Sequence, residues 1–339
     1  MKRTGNLINK IADTDNLKLA FYKAAKGKSD KKGVIEYRKN LGKNLKKLRE
    51  EILSGEIDCG NYHYFKIYDP KERNICAAEF KERVLHHAIM LQAHDTFEQY
   101  QIYDSYATRI DKGTHKAIDK AKKFNNKYDY FLKLDVRKYF DSIDHVILMK
   151  ALEKKFKDLE VLRIFEKIIE SYKVTSRKGV PIGNLTSQYF ANHYLAGLDH
   201  FIKEELKIKG YVRYMDDMVL WHDDKEYLKN CSLTLTNFLK EKLVLDLKVS
   251  QINKTYAGVN FLGYKLKKDF VKLADSSKKR FIKKMKLYAE YLDSGEWSQE
   301  DYQRHTLPLI SYTDYATKIK PLRSLIIEKI KVNAQTERL

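Results

Sequence analysis

Hydrophobic residues recur at helical spacing over much of the chain. In the first 60 residues the clearest series is Leu41, Leu45, Leu48 and Ile52, with lysines and an arginine between them. The same spacing predicts further helices over residues 79–98, 145–171 and 225–243 and from Ser276 onward. Another helix is predicted to follow the turn at Gly179–Gly183 and to end at about Lys207. The chain is therefore rich in amphipathic helices, and those at its two ends are basic.

Extended segments separate these helices. Apolar and aromatic residues around Asp69–Pro70 predict a hairpin over residues 61–77. Strands are also predicted at Tyr130–Val136, over Tyr211–Trp221, and as short segments at residues 245–249 and 260–266. Because helices and strands are mixed without regular β–α alternation, the pattern favours an α+β fold.

Composition narrows the class of protein. The 339 residues suffice for one large or two to three small domains, and 43% of them are hydrophobic, which excludes global disorder. Lysine and arginine total 66 against 46 acidic residues, a net charge of +20 that favours a polyanionic partner. The three cysteines, Cys59, Cys76 and Cys231, are too few and too scattered for a disulfide framework or a cysteine zinc site.

No segment has the apolar length of a membrane helix, and polar residues interrupt the N-terminal region where a signal peptide would be apolar. We therefore expect a cytoplasmic protein that does not contact a membrane. His86 and His87 lack a His-Glu-x-x-His arrangement, which favours packing or surface roles over a metal site.

Asp216 and Asp217 occupy the centre of an otherwise apolar extended segment. Two adjacent carboxylates repel each other and are costly to bury. A turn between two strands with a bridging divalent cation removes both difficulties, and an ordinary polar hairpin tip is an equally good explanation of these residues alone. Asp223–Asp224 lacks an apolar flank behind it and is predicted to be a solvated tip.

Asp135 ends a second apolar strand and is followed by Tyr139 and Phe140. Asp135, Asp216 and Asp217 together could hold two Mg²⁺ ions, a pair that stabilises the attacking and leaving oxygens of an in-line phosphoryl displacement. Lys71 and Arg73 are candidate cationic partners for phosphates, because the chain has no phosphate-binding loop of the Walker type. For either group taken alone, the carboxylates or the two cationic residues, a solvated charged turn is the better explanation.

Five motifs in order give the chain the appearance of a known enzyme family. They are Pro70-Lys71-x-Arg73, Asp135 with Phe140, Tyr214-Met-Asp-Asp217, Leu245-x-Leu247 leading to Lys254-Thr255, and Phe261-Leu-Gly-Tyr264. With this order and spacing the chain resembles a reverse transcriptase. The resemblance implies a right-hand polymerase fold with a basic helical extension at residues 1–60, interleaved fingers and palm at 61–266, and a helical thumb at 267–339.

The segment from Ile182 to Gln188 narrows the resemblance. Most reverse transcriptases carry Gln-Gly-x-x-x-Ser-Pro there, whereas this chain has Ile-Gly-Asn-Leu-Thr-Ser-Gln. An aliphatic residue at the first position and glutamine at the last resemble the enzymes of diversity-generating retroelements. Residues 79–83 and 111–115 are similar to that subfamily too. This resemblance implies errors at template adenines, mutagenised cDNA copied from a template repeat RNA and retrohomed into a target gene, a small basic pentameric accessory protein, and a bacterial, archaeal or phage source.

The resemblance also implies roles for individual residues. The metal ligands are Asp135, Asp216, Asp217 and the backbone carbonyl of Val136, and the general acid for pyrophosphate is Lys254. Residues assigned to the incoming dNTP are Lys71, Arg73, Phe140, Ile182 and Gly183. The primer-grip hairpin is Phe261, Leu262, Gly263 and Tyr264. Residues assigned to the RNA/DNA hybrid along a basic helix are Lys278, Lys279, Arg280, Lys283 and Lys284.

Ile182 has no polar group with which to test the seating of a nucleotide, so the residue predicts weaker discrimination than a glutamine gives. Two other functions stay open. One is a retron, group II intron-like or phage-defence reverse transcriptase. The other is an RNA-binding maturase or scaffold without catalysis, which the intact set of three aspartates disfavours.

Overall fold

The structure is a computed structural model that describes residues 3–68 and 72–316. Its helices are α1 (Ile8–Ile11), α2 (Thr14–Ala25), α3 (Lys32–Lys39), α4 (Leu41–Ser54), α5 (Phe80–Glu98), α6 (Thr114–Lys127), α7 (Tyr139–Ser142), α8 (His145–Glu153), α9 (Leu159–Glu170), α10 (Leu185–Tyr194), α11 (Ala196–His200), α12 (Lys225–Leu243), α13 (Asp275–Asp293) and α14 (Gln299–Asp314). Its strands are β1 (Tyr62–Ile67), β2 (Arg73–Ala78), β3 (Tyr130–Val136), β4 (Gly210–Tyr214), β5 (Asp217–His222), β6 (Leu247–Lys254), β7 (Val259–Phe261), β8 (Tyr264–Leu266) and β9 (Val271–Leu273).

The chain divides into two compact units. The first combines residues 1–110, 135–207 and 233–249, and it is mainly helical. Its core contains a run of buried phenylalanines, in which Phe156 lies 5.3 Å from Phe97 and 5.2 Å from Phe165 between ring centroids. Edge-on and tilted contacts of this kind add to the stability gained from burying the rings. The antiparallel hairpin β1–β2 belongs to this unit.

The second unit combines residues 111–134, 208–232 and 250–339, of which the structure describes those up to 316. It contains most of a four-stranded sheet of order β4-β5-β3-β6, and a three-stranded antiparallel sheet of order β7-β8-β9. Helix α6 packs on β4, with the Phe124 ring 5.6 Å from that of the buried Trp221. The last residues of β3 and the first residues of β6 extend into the first unit.

The mixture of helices and antiparallel sheets confirms the predicted α+β class. Strand β3 and helix α12 have the predicted ends, and the predicted helix over residues 145–171 is two helices, α8 and α9. Helix α6 was not predicted, because its buried face is made of small residues in a strongly basic and polar sequence. Residues 1–60 lie in the same compact unit as the hairpin after them, and the division at residues 60 and 266 stays a prediction.

Within the described ranges, none of the helices is both long enough and apolar enough to cross a membrane. All three cysteines are free thiols. The His86 ring is buried and lies 3.3 Å from the Glu82 carboxylate one helical turn away, which confirms a packing role for that residue.

Candidate active site

Asp216 and Asp217 lie at the tip of the β4–β5 hairpin, in the second unit. Tyr214 pairs with Asp217, so Met215 and Asp216 form a two-residue turn. Met215 has a φ of 53°, a backbone conformation that residues other than glycine rarely adopt, and the buried guanidinium of Arg213 donates to its carbonyl oxygen at 3.2 Å. The turn therefore presents two adjacent, half-buried carboxylates at the end of a buried hairpin.

Lys133 is a residue of this site that sequence reasoning missed. Its Nζ lies 3.2 Å from a carboxylate oxygen of Asp217, and it donates to the carbonyl oxygen of Asn260 in β7 at 2.5 Å. The sequence did contain a signal for it. Lys133 is a charged residue two positions before Asp135 in an otherwise apolar strand, and residues two apart in a strand point to the same face of the sheet. The Lys133 ammonium group therefore links Asp217, next to the β4–β5 turn, to strand β7.

Replacing Lys133 with methionine is expected to lower the free energy of unfolding by about 1 kcal/mol, because Asp217 loses a partly buried counter-charge and Asn260 loses a donor. Denaturant unfolding of K133M, D217N and the double variant measures the coupling between the two side chains. Lys116→Met, on the exposed face of α6, is the control for loss of a lysine. Strictly additive effects of the two substitutions would show that the contact has no energetic weight.

Asp135 lies near the end of β3, at the point where that strand enters the first unit. Lys248, at the start of β6, places its Nζ 3.7 Å from the Asp135 carboxylate. The next residue, Val136, is buried, and the N–H of Arg137 donates to the carbonyl oxygen of Asp246 at 2.8 Å. In the four-stranded sheet, β3 is the neighbour of β5, the strand that begins at Asp217.

Carboxylate and carbonyl oxygens are the ligands that Mg²⁺ prefers, so the donor types of Asp135, Asp216, Asp217 and Val136 fit that ion. Within residues 3–68 and 72–316, however, no three His, Cys, Asp or Glu side chains are already gathered as a metal site. Lysine ammonium groups lie against two of the three aspartates instead. The assignment of these ligands therefore stays a prediction.

Lys254 lies at the other end of β6 from Lys248. The N–H of the next residue, Thr255, donates to the carbonyl oxygen of Asp129, just before β3 begins. Six residues of strand at about 3.3 Å each therefore separate the level of Lys254 from that of Asp135, a distance of about 20 Å. The assignment of Lys254 as general acid for the pyrophosphate stays a prediction, and the lysine next to Asp135 is Lys248.

In the first unit, residues 180–182 form hydrogen bonds with two places predicted to contact a nucleotide, Phe140 and strand β2. The N–H of Val180 donates to the carbonyl oxygen of Phe140 at 2.9 Å, and the N–H of Cys76 in β2 donates to that of Ile182 at 2.9 Å. Phe140 and Ile182 are both half-buried. The segment from Val180 to Gly183 is therefore bonded to Phe140 at its first residue and lies against β2 at Ile182 and Gly183.

Gly183 is in close contact with β2. Its φ is 132°, and a Cβ on this residue would lie 2.6 Å from the carbonyl oxygen of Cys76. Only a glycine fits there without displacing the strand. Arg73 begins β2, is exposed and lies three residues along the strand from Cys76, whereas Lys71 lies outside the described residues. Burial raises the pKa of Asp141, the residue after Phe140.

The segment from Phe261 to Tyr264 forms the β7–β8 hairpin of the second unit. Leu262 and Gly263 have φ values of 50° and 84°, as a type I′ turn requires at both central positions. The Tyr312 hydroxyl of α14 donates to the carbonyl oxygen of Leu262 at 3.3 Å, and the Tyr264 hydroxyl donates to that of Tyr312 at 2.5 Å. The hairpin tip is therefore fixed on α14.

Helix α13 carries the predicted nucleic-acid-binding lysines. Its buried face contains Phe281, Met285 and Ala289 at helical spacing, and Lys278, Lys279 and Lys283 are exposed. Arg280 and Lys284 are half-buried, and Arg280 reaches the Ser277 hydroxyl at 3.5 Å. Three of the five predicted residues thus present fully exposed cationic side chains.

Asp223 and Asp224 are exposed, as predicted for a solvated pair. They do not form a hairpin tip, however, because Asp224 lies just before α12 and its carboxylate accepts from the N–H groups of Glu226 and Tyr227. An aspartate at this position stabilises the start of a helix.

Comparison with known proteins identifies the family. The reverse transcriptase (RNA-dependent DNA polymerase) family model matches residues 69–266. The chain is 24% identical over 184 residues to Protein YkfC of Escherichia coli (48% of this chain, 46% of that one). It is 26% identical over 147 residues to the group II intron-encoded protein LtrA of Lactococcus lactis (41% of this chain, 24% of that one).

Among solved structures, apo telomerase from Candida tropicalis superposes with a TM-score of 0.50 at 14% identity, covering 80% of this chain and 59% of that one. This likeness supports the predicted right-hand polymerase fold. The chain spans less than half the length of the curated relatives named above. Because the family match covers more than half of its residues and includes Asp135, Asp216 and Asp217, the chain belongs to the reverse transcriptase family.

Proposed function

We propose that this chain is an RNA-directed DNA polymerase that extends the 3′-hydroxyl of a primer along an RNA template. The observation that carries the proposal is the two-residue turn that holds Asp216 and Asp217 at the end of a buried hairpin whose neighbour in the sheet is β3, the strand of Asp135. In a helix-rich protein of net charge +20, such a concentration of carboxylates is suited to a cation-assisted reaction of a polyanion.

Asp135, Asp216, Asp217 and the Val136 carbonyl are the groups that would hold two Mg²⁺ ions. When bound, the ions supply Lewis-acid stabilisation of the phosphoryl transfer. The Lys248 ammonium is a second candidate, beside Lys254, for the proton donor to the departing pyrophosphate, because its Nζ is 3.7 Å from the Asp135 carboxylate. In this reaction the primer oxygen bonds to the α-phosphorus, and the bond from that phosphorus to the pyrophosphate oxygen breaks.

The dNTP contacts are assigned to the first unit. Phe140 would lie beneath the sugar and exclude a 2′-hydroxyl, and Arg73 would neutralise triphosphate charge. The Ile182 carbonyl is occupied by the Cys76 N–H, so the half-buried apolar side chain is what this residue offers to a nucleotide. A site with fewer directional contacts discriminates less well between correctly and wrongly paired nucleotides.

The finer assignment that we propose is the mutagenic reverse transcriptase of a diversity-generating retroelement. Its support is the Ile182–Gln188 segment, with the apolar residue at its first position. In this role the enzyme would copy a template repeat RNA into cDNA with errors at adenines, together with a small basic pentameric accessory protein. The matching relative LtrA is named as a group II intron-encoded protein, which favours a group II intron-like enzyme as the second candidate.

Primer extension on a defined RNA template with Mg²⁺ and dNTPs, followed by sequencing of the cDNA, separates the candidates. We expect extension with errors concentrated at template adenines. Ile182→Gln restores a hydrogen-bonding side chain and is expected to lower that error frequency several-fold. Ile75→Gln, a half-buried isoleucine in the adjacent β2, is the matched control. Faithful extension by the wild-type chain would favour the group II intron-like, retron or defence enzymes.

Nucleic-acid binding is expected to weaken steeply with salt, because lysine contacts to phosphates release counterions. Replacing Lys278, Lys279 and Lys283 together with glutamine should reduce the slope of log affinity against log salt by about three if each lysine contacts a phosphate. Fluorescence anisotropy with an RNA/DNA hybrid at several KCl concentrations measures it. The matched control replaces the exposed Lys43, Lys46 and Lys47 of α4. Equal losses in both triple variants would contradict a specific role for α13.

A further inference from the structure

Helix α6 of the second unit carries a row of lysines along the side that faces away from its buried residues. The members of this lysine row are Lys116, Lys120, Lys123 and Lys127. At 3.6 residues per turn they fall within about 60° of arc, and the row is about 16 Å long. Lys116, Lys123 and Lys127 are exposed, and the Lys120 ammonium lies 4.9 Å from the centre of the Phe124 ring.

The positive charge of the lysine row is not compensated by the described part of the chain. Lys116, Lys123 and Lys127 form no ion pair with any residue that the structure describes. The one acidic residue of α6, Asp119, accepts a hydrogen bond from the Tyr315 hydroxyl. Like charges one turn apart on a helix repel each other and destabilise it. A polyanion lying along the row would remove that repulsion.

Helix α6 lies on the sheet face to which the Asp217 side chain points. Asp217, Val219 and Trp221 occupy alternate positions of β5, so their side chains point to the same face of the sheet. The Phe124 ring of α6 packs on the Trp221 ring at 5.6 Å between centroids. The lysine row and the Asp217 carboxylate are therefore on the same side of the four-stranded sheet.

The helix begins beside the aspartate turn and runs away from it. In its first turn the Thr114 hydroxyl donates to the Tyr214 hydroxyl at 3.4 Å, and Tyr214 pairs with Asp217. In its last turn Phe124 packs on Trp221, four residues along β5 from Asp217. Helix α6 also contacts β8, in the hairpin predicted to grip the primer. A double helix that left the aspartate turn past this hairpin would lie along the row.

The row has the chemistry and the length of a contact to a phosphate backbone. Lysine ammonium groups bind phosphates as point charges and do not distinguish between bases. Each strand of a double helix places a phosphate about every 3.4 Å along the axis, so a row of about 16 Å spans about five base pairs. A line of cations without a pocket between them suits a continuous backbone better than a small anionic molecule.

We infer that the lysine row of α6 binds the phosphate backbone of the RNA/DNA hybrid over about five base pairs that have just left the aspartate turn. The contact holds the product between successive nucleotide additions, independently of its sequence. The inference rests on the proposed function only in that the hybrid is the product of that reaction, since none of the four lysines takes part in the phosphoryl transfer.

The test is fluorescence anisotropy with labelled chimeric hairpins, in Mg²⁺ without dNTP, whose RNA–DNA stems range from about four to about twelve base pairs. Replacing Lys116, Lys123 and Lys127 together with glutamine should weaken binding of the longest stem about tenfold or more and reduce the slope of log affinity against log salt by about three. The thermal midpoint should not fall, because these side chains are exposed and repel each other. Arginine at the same three positions keeps the charge and should restore binding.

Single substitutions at the two ends of the row test its direction. Lys116→Gln should weaken binding at shorter stem lengths than Lys127→Gln does, because Lys116 is nearer the end of α6 that adjoins Tyr214. The two onsets should differ by about five base pairs. Onsets at the same stem length, or in the opposite order, would overturn the placement of the hybrid along α6.

The matched control replaces Lys225, Lys229 and Lys240 of α12, which are also exposed lysines of one helix. Equal losses in both triple variants would overturn the inference, because total charge alone would then set the affinity. A loss confined to single-stranded RNA, to an RNA duplex or to vesicles of anionic phospholipid would assign the row to another partner. Because nothing is polymerised in these measurements, a chain that binds the hybrid through the row but does not extend a primer would refute the proposed function alone.

Discussion

Replacing Asp216 with alanine is expected to lower the rate of primer extension by about a thousandfold or more. The side chain occupies the second position of the two-residue turn between β4 and β5, where it is half-buried. Loss of a ligand to a catalytic cation removes several kcal/mol of transition-state stabilisation, and about 4 kcal/mol corresponds to three orders of magnitude in rate. Single-turnover extension with saturating dNTP and Mg²⁺ measures this rate.

Asp223→Asn is the matched control for this prediction. Asp223 lies just after β5 and is exposed, and its carboxylate accepts from the backbone N–H of Asp129 at 3.1 Å, a bond that an asparagine can keep. Extension by the control should match wild type, and circular dichroism should show that both variants are folded. If Asp216→Ala supported the full cellular role of the protein, the chain would be acting as a non-catalytic RNA-binding scaffold.

Local pattern was sufficient to find the parts of the site that lie within one element. β3 and the two strands of the β4–β5 hairpin are mostly apolar and have aspartates at or near their ends, so both the strands and these aspartates could be predicted. Leu262 and Gly263 lie at a hairpin for the same reason. In each case the neighbours in sequence are also the neighbours in space.

The register of β6, which ends at Lys254, shows where that reasoning ends. The predicted strand over residues 245–249 ended too early, and its direction relative to β3 could not be obtained from either strand alone. In the structure β6 extends to Lys254 and runs antiparallel to β3, so that Lys248, and not Lys254, is level with Asp135. Register between strands far apart in sequence depends on packing that no local pattern encodes.

The contacts of Lys133 and Ile182 could not be predicted for the same reason. The Cys76–Ile182 hydrogen bond and the Lys133–Asn260 hydrogen bond each join residues more than a hundred positions apart. Sequence alone therefore predicted the charged residues at the ends of strands better than the residues that position them.

Replacing Gly183 with alanine is expected to lower the free energy of unfolding by about 2–4 kcal/mol and to raise the KM for dNTP at least about tenfold. The added Cβ would lie 2.6 Å from the Cys76 carbonyl oxygen and 3.3 Å from the Ile75 side chain, while φ is 132°. Either β2 moves away or residues 182–183 do, and both changes strain the Cys76–Ile182 hydrogen bond. Denaturant unfolding and steady-state extension at varied dNTP concentration measure the two effects.

Gly55→Ala is the control that separates the steric clash of the Cβ added at Gly183 from the strain of a positive φ. Gly55 ends α4 with a φ of 72°, and a Cβ there would have no heavy atom within 4 Å, so only the left-handed conformation is penalised, by about 1 kcal/mol. Equal destabilisation by the two substitutions would mean that β2 yields to the methyl group without resistance. Since β2 also carries Arg73, a β2 that yielded in this way could not hold the residue proposed to bind the triphosphate in a fixed position. A KM that rises together with the extra destabilisation in Gly183→Ala would therefore link the glycine, through β2, to nucleotide binding.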